Sequence, residues 1–183
     1  MKIFSKNLES YYFPIALILV LSFSRLIPHP PNFTPIIAVA IMSGYFFKNI
    51  YISFATLLIS MLLADAFIGF YNNMIFIYLS LFLITFIFFK ININISSKNL
   101  IIIGLFGSLI FYFISNFGVW VLGNPGVYDI AYEKNLDGLI QCYLLAIPFF
   151  KNTLFSTLIF SYTTFAVYKF SYNVTAQLSS FKK

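Results

Sequence analysis

Residues 25–44 read Arg-Leu-Ile-Pro-His-Pro-Pro-Asn-Phe-Thr-Pro-Ile-Ile-Ala-Val-Ala-Ile-Met-Ser-Gly, a polar, proline-locked strip that runs into an apolar one. The strip holds the only arginine (Arg25), the only histidine (His29) and four of the seven prolines: Pro28, Pro30, Pro31 and Pro35. Each proline fixes its own φ, removes a donor and pushes the preceding residue toward extended backbone, so this stretch cannot be a helix interior. Apolar runs flank it closely on both sides. Open backbone between two membrane spans is tolerated only where it is buried in protein or lines a water-filled cavity, which marks the strip as the place to look for function.

Composition sets the surroundings of that strip. With 61% hydrophobic, 9% charged and 21% aromatic residues, the chain lies far from the roughly 45–50% apolar and 25% charged of soluble domains. This is an integral membrane composition. At 183 residues, with no hydrophilic stretch long enough to fold alone, residues 1–183 are expected to form a single membrane domain without a soluble module. No G-x-x-x-x-G-K-[ST] phosphate loop and no G-x-G-x-x-G fingerprint occurs among the eight glycines, so energy for work would come from a partner or a gradient. Cys142 is the only cysteine, which excludes an internal disulfide and a thiolate cluster. The net charge of +6 is spread singly between apolar runs, a distribution suited to membrane topology and not to tracking nucleic-acid phosphates.

Six spans are expected, at about 11–27, 34–47, 50–67, 74–89, 100–122 and 148–169. Ser22-Phe-Ser24 resembles a signal-peptidase site, but five further spans follow, so cleavage is not expected. The second run is only about 21 Å of helix against a hydrocarbon core of about 30 Å. Gly123 to Leu139 reads as the longest loop, opening on Gly-Asn-Pro-Gly. The apolar run 140–170 exceeds one crossing and is divided at Pro148, which would start the sixth span in its first turn. Six spans put both termini on one side, with Lys2, Lys6, Lys48, Lys90, Lys98, Lys169, Lys182 and Lys183. The positive-inside rule makes that side cytoplasmic and leaves Arg25, Lys134 and the loop carrying Asp129, Glu133 and Asp137 outside.

In this topology Arg25, Asp65, Lys151 and the pair Asn116 and Trp120 approach one depth near the outer end of four spans. The plain alternative is that Arg25 and Lys151 snorkel to the interface and Asp65 caps a helix. Arg25 is the favoured ligand anchor, because a planar fork of donors suits a carboxylate or phosphate. Arg25 and Lys151 against Asp65 leave a net positive charge, which predicts an anionic ligand. One His and one nearby Asp do not make a metal shell, and no cofactor is expected. Phe113, Trp120, Tyr128, Tyr132 and Tyr143 read as interfacial belt or ligand stack. The pairs Ala40 and Gly44, Ser60 and Ala64, and Gly104 and Ser108 stand at i, i+4 and suit close helix packing.

Several blocks in order carry a resemblance: the R-x-x-P-H-P-P-N-F-T-P strip with Ser43-Gly-Tyr-Phe46, Ala64-Asp-Ala-Phe-Ile-Gly-Phe70, Ser115-Asn-Phe-Gly-Val-Trp120, Gly138-Leu-Ile-Gln-Cys-Tyr143 and Ala146-Ile-Pro-Phe-Phe-Lys-Asn152. Over nearly its whole length the chain resembles a family of small bacterial membrane proteins of unknown function. More distantly, its layout resembles the substrate-binding S components of energy-coupling factor (ECF) vitamin transporters. That resemblance implies an all-α six-helix bundle, outward capture of a small molecule such as a vitamin or precursor, and a coupling subunit with ATPases in trans. Many S components dock through an Ala-x-x-x-Ala surface on the first helix; here Pro14-Ile-Ala-Leu-Ile-Leu-Val-Leu21 lacks it. The substrate-binding candidates are Arg25, His29, Asn32, Asp65, Asn116, Trp120, Tyr143, Lys151 and Asn152. The alternatives are an intramembrane enzyme using Arg25, His29 and Asp65 on a lipid-phase substrate, and an accessory subunit of another complex. Against the enzyme, acid–base chemistry needs a second positioned titratable partner, and Asp65 is the one acidic residue within the expected spans. The expected location is the bacterial inner membrane.

Overall fold

In the computed structural model, which describes residues 9–47, 49–91, 96–123 and 131–180, the chain is helical and no strand occurs among the described residues. Its elements are α1 (Glu9–Phe23), a 3-10 turn (Ser24–Leu26), α2 (Ile36–Phe46), α3 (Ile50–Ile68), α4 (Met74–Lys90), α5 (Ser97–Leu122) and α6 (Leu136–Ser180). By length and composition three helical stretches can cross a membrane: Ile50–Ile68, Asn99–Leu122 and Leu136–Ser171. Tyr12–Leu26, Ile36–Phe46 and Met74–Lys90 are shorter apolar helices. The expectations resting on Lys2, Lys6, Lys48, Tyr128, Asp129, Lys182, Lys183 and the Gly-Asn-Pro-Gly turn fall wholly or partly outside the described residues.

The short second run is the hub. At 11 residues, α2 is only about 16 Å long, yet it packs against each of the other five helices. Ala38, Val39, Ala40, Ile41, Met42 and Ser43 are wholly buried. Its sequence explains this, since a helix apolar all round has no face to present to water and belongs in a core or in lipid. Two devices bring α4 close. Gly44 lies where an added Cβ would strike the Thr85 carbonyl oxygen and meet Phe89 N at 3.0 Å, and Thr85 Oγ1 donates to the Ala40 carbonyl at 2.9 Å. Gly104 and Ser108 do the same between α5 and α6: a Cβ on Gly104 would meet Leu158 Cδ2 at 2.8 Å, and Ser108 donates to Thr157 Oγ1 at 3.2 Å. Small residues that admit a neighbouring backbone, as at Gly44, or a neighbouring side chain, as at Gly104, with hydroxyls bonded across the seam, suit helix association in lipid.

Polarity is distributed accordingly. Val20, Phe67, Ile75, Phe106, Phe155 and Phe170 are each more than half exposed, while Ser43, Ser60, Ser80, Ser156, Thr157, Ser161 and Thr164 are buried. Several buried hydroxyls bond carbonyls one turn back in their own helix, as Ser60 does to Leu57, Ser80 to Ile77 and Thr164 to Phe160. An apolar exterior around a hydroxyl-bearing interior suits a hydrocarbon solvent, in which a buried hydroxyl has only protein partners to turn to; Ser43 and Ser161 Oγ are buried without one among the described residues.

One boundary is corrected. Pro148 does not open the last helix: α6 starts at Leu136 and runs through it. Asn135 caps the start, its Oδ1 accepting from Gly138 N at 2.8 Å and its carbonyl from Leu139 N at 3.1 Å, and Asp137 sits in the first turn where the helix dipole favours a carboxylate. The proline removes one backbone bond from a helix already under way. The far end of α6 differs too, running to Ser180 where 169 is expected; the remaining bounds lie within three residues of expectation once the 3-10 turn is counted with α1. The loop before α6 ends at Asn135, earlier than expected.

Candidate functional site

The proline strip is fastened to α3 and to α6. At its start, the 3-10 turn presents Arg25 to α3, where Nη2 bonds Asp65 Oδ1 at 2.7 Å and Nη1 lies 3.6 Å from Met61 Sδ. The second carboxylate oxygen, Oδ2, accepts from Tyr78 OH on α4 at 2.6 Å. The two ionic side chains are only 8% and 0% exposed. Both oxygens of Asp65 are therefore engaged and the two charges cancel, so the cluster ties the strip to α3 and α4 as an internal lock. Tyr71, in the turn before α4, lies in the same field. Burial first, and the Asp65 carboxylate second, push its phenol up to about 12, while Arg25 pulls it down. It stays a neutral hydroxyl at physiological pH.

The second fastening is a tight turn. Phe33 N donates to the Pro30 carbonyl at 3.0 Å, and Asn32 has φ +59°. With proline fixing φ at the second position and a positive φ at the third, residues 30–33 form a type II turn, whose third position takes Gly or Asn. Asn152 Nδ2 of α6 donates to the Pro31 carbonyl at 3.0 Å, and the Phe33 and Phe160 rings lie 6.1 Å apart. His29 is exposed, with Nδ1 3.0 Å from the Pro30 carbonyl oxygen.

Between the strip and the α4, α5 and α6 helices lies a cavity of about 200 Å³. Asn32 reaches it from the turn, Asn73 and Ile77 from α4 and its cap, Ser115, Asn116 and Val119 from α5, Tyr132 from the loop, and Cys142, Ala146 and Thr153 from α6. Phe111, Tyr112, Phe149 and Phe150 supply rings, with Tyr112 and Phe150 edge to face at 5.2 Å. Among the described residues the wall carries no Asp, Glu, Lys, Arg or His. Its polar groups are partly committed. Asn116 Nδ2 donates to the Tyr112 carbonyl at 2.8 Å, Tyr112 OH to the Tyr143 carbonyl, Thr153 Oγ1 to the Phe149 carbonyl at 3.0 Å, and Asn73 Nδ2 to the Ser115 carbonyl at 3.0 Å. Asn73 gets that close because Gly118 has no side chain; a Cβ there would collide with Asn73 Oδ1 and Phe76.

Of the expected residues, Asn32 and Asn116 line the cavity, and Tyr143 stands behind it, its carbonyl held by Tyr112 and its hydroxyl donating to the Phe113 carbonyl at 2.9 Å. Asn152 holds the strip from outside the wall. Arg25 and Asp65 meet each other rather than the cavity, and Lys151 is exposed. Trp120 donates through Nε1 to the Glu133 carbonyl at 2.8 Å, with Lys134 Nζ 5.5 Å from its ring centre. Lys134 also bonds the Trp120 and Val121 carbonyls, closing the end of α5. Sequence reading missed Asn73, Tyr112, Ser115 and Thr153 as wall residues. Asn73 was legible only as a helix cap, and the others sit in apolar runs whose register around α2 no periodicity displays. No group of three or more His, Cys, Asp or Glu that could hold a metal ion occurs among the described residues.

The chain belongs to a family of unknown function, DUF6580, whose model matches residues 5–178. No curated protein and no solved structure matches it.

Proposed function

We propose, with membership of that family as the premise, that the chain is a substrate-capture protein of the bacterial inner membrane that takes up a small molecule in the cavity beneath the proline strip. The cavity carries this reading: it is a concave, ring-lined space with a few convergent polar groups, the usual make-up of a small-molecule site. It is bounded by a strip whose conformation is fixed by prolines and by bonds to Asp65 and Asn152, so little ordering is left for the moment of binding. In the proposed six-span topology the lysine-rich side and both termini face the cytoplasm and the cavity faces out. Release to the inside would then need a coupling subunit and ATPases in trans, as in the S components of ECF transporters.

For the intramembrane-enzyme alternative, Asp65 has both oxygens bonded to Arg25 and Tyr78, which leaves the exposed His29 as its freer candidate base. The expectation of an anion held by Arg25 also finds no support in the geometry, because the guanidinium already has its carboxylate. The experiment is mass spectrometry of the small molecules released when the detergent-purified protein is denatured. Capture predicts one molecule in near-stoichiometric amount; folded, monodisperse protein that releases none after exposure to growth medium contradicts it.

A further inference from the structure

We infer that the molecule taken up in the cavity is uncharged, is built on a single ring and carries an amide-like edge with a donor beside an acceptor; this rests on the capture reading above. Charge follows from the neutrality of the described wall. A charged ligand in this space would shed its water without meeting a counter-ion among the described wall residues, which are neutral, while Arg25, outside that wall, is paired with Asp65. Lys151, the other candidate cation, is exposed and does not line the cavity.

Size is decided by volume. A space of about 200 Å³ compares with the roughly 150 Å³ of an engineered apolar cavity that accepts benzene. One substituted ring fills such a space. Tyr112 and Phe150, in edge-to-face contact at 5.2 Å, make one aromatic side of the wall, and aromatic contacts reward a planar guest.

The polar edge follows from two carboxamides. Asn116 gives one of its two Nδ2 hydrogens to the Tyr112 carbonyl, which leaves the second hydrogen and the side-chain oxygen to offer. Asn32, standing on the type II turn at φ +59°, offers a donor and an acceptor from the opposite side. A carboxamide pairs best with a partner that presents donor and acceptor side by side. A purely apolar guest would leave these groups unpaired, which costs affinity.

The test uses the full-length protein in detergent at pH 7 and four one-ring probes: benzamide, benzoate, benzylammonium and toluene. Calorimetric titration is expected to give benzamide an affinity at least tenfold above each of the others. Asn116→Ala should lower benzamide affinity at least tenfold and leave toluene unchanged, and Asn32→Gly, which keeps the turn, should also lower it. Tighter binding of benzoate than of benzamide, lost in Arg25→Gln, would overturn the ligand class and leave capture standing. So would tighter binding of benzylammonium or toluene. Should no probe bind, the molecule released on denaturation decides: an uncharged single-ring amide upholds the class, a charged or multi-ring molecule overturns the class alone, and none at all overturns both readings.

Discussion

At Arg25 the sequence suggests a donor fork waiting for a ligand, whereas the fold pairs its charge with Asp65, two helices along the chain, through Nη2 alone. A buried ion pair contributes little net stability, but removing one partner strands the other charge and costs about 3–5 kcal/mol. Asp65→Asn should therefore lower the thermal unfolding temperature markedly, while the double replacement Arg25→Met with Asp65→Leu recovers most of the loss. The double variant should also keep its ligand; losing it at full stability would return Arg25 to the binding site. Asn32 makes the second residue-scale prediction. Left-handed backbone costs a residue bearing Cβ roughly 1–2 kcal/mol, least for Asn and nothing for Gly. Stability should run Asn32→Gly at or above wild type and Asn32→Ala below both, read by thermal unfolding. Equal stability of the Gly and Ala variants would mean that the positive φ is not what the turn requires.

At the scale of elements, α2 is where packing tolerance is smallest. Gly44→Ala drives a methyl against the Thr85 carbonyl and the Phe89 amide, both backbone, whereas Gly107→Ala meets side-chain atoms at longer range, Ile37 Cγ2 at 3.1 Å and Ile41 Cδ1 at 3.2 Å. Overpacking costs typically about 1–3 kcal/mol. Gly44→Ala should sit at or above that range and Gly107→Ala well below it, and equal unfolding temperatures for the two variants would contradict the α2–α4 contact as described. The elements themselves were largely legible. Breaks at Pro28–Pro35, at Asn49 before α3 and at Asn73 before α4 are written in residue types that cap or turn a chain, and Asn49 Oδ1 does accept from Tyr51 N at 2.8 Å. The role of α2 was not legible, because a helix apolar on every face reads the same whether protein or lipid surrounds it. Pro148 misled for another reason. A proline weighs heavily as local punctuation, yet Asn135 and Asp137 had already supplied a complete helix start upstream.

For the whole molecule, the site is half legible in the sequence: polar groups do gather at the end of the bundle that bears the strip, but in two places instead of one. Charges pair at the α1–α3 junction, and neutral carboxamides and rings line the space between α4, α5 and α6. Helix depth can be read from topology; which side of the central helix a residue faces cannot. Orientation is open to direct measurement. Cys142 is only 2% exposed, so a thiol is better placed by Leu136→Cys in a Cys142→Ser background. An impermeant maleimide should label it in intact spheroplasts, and labelling only after lysis would reverse the orientation. The most direct test of the central claim is native mass spectrometry of the detergent-purified protein beside Ala146→Phe, which puts a ring into the cavity while removing no polar group. Capture beneath the strip predicts a small-molecule adduct on wild type that is absent from a folded Ala146→Phe variant; the same adduct on both, at equal occupancy, would contradict it.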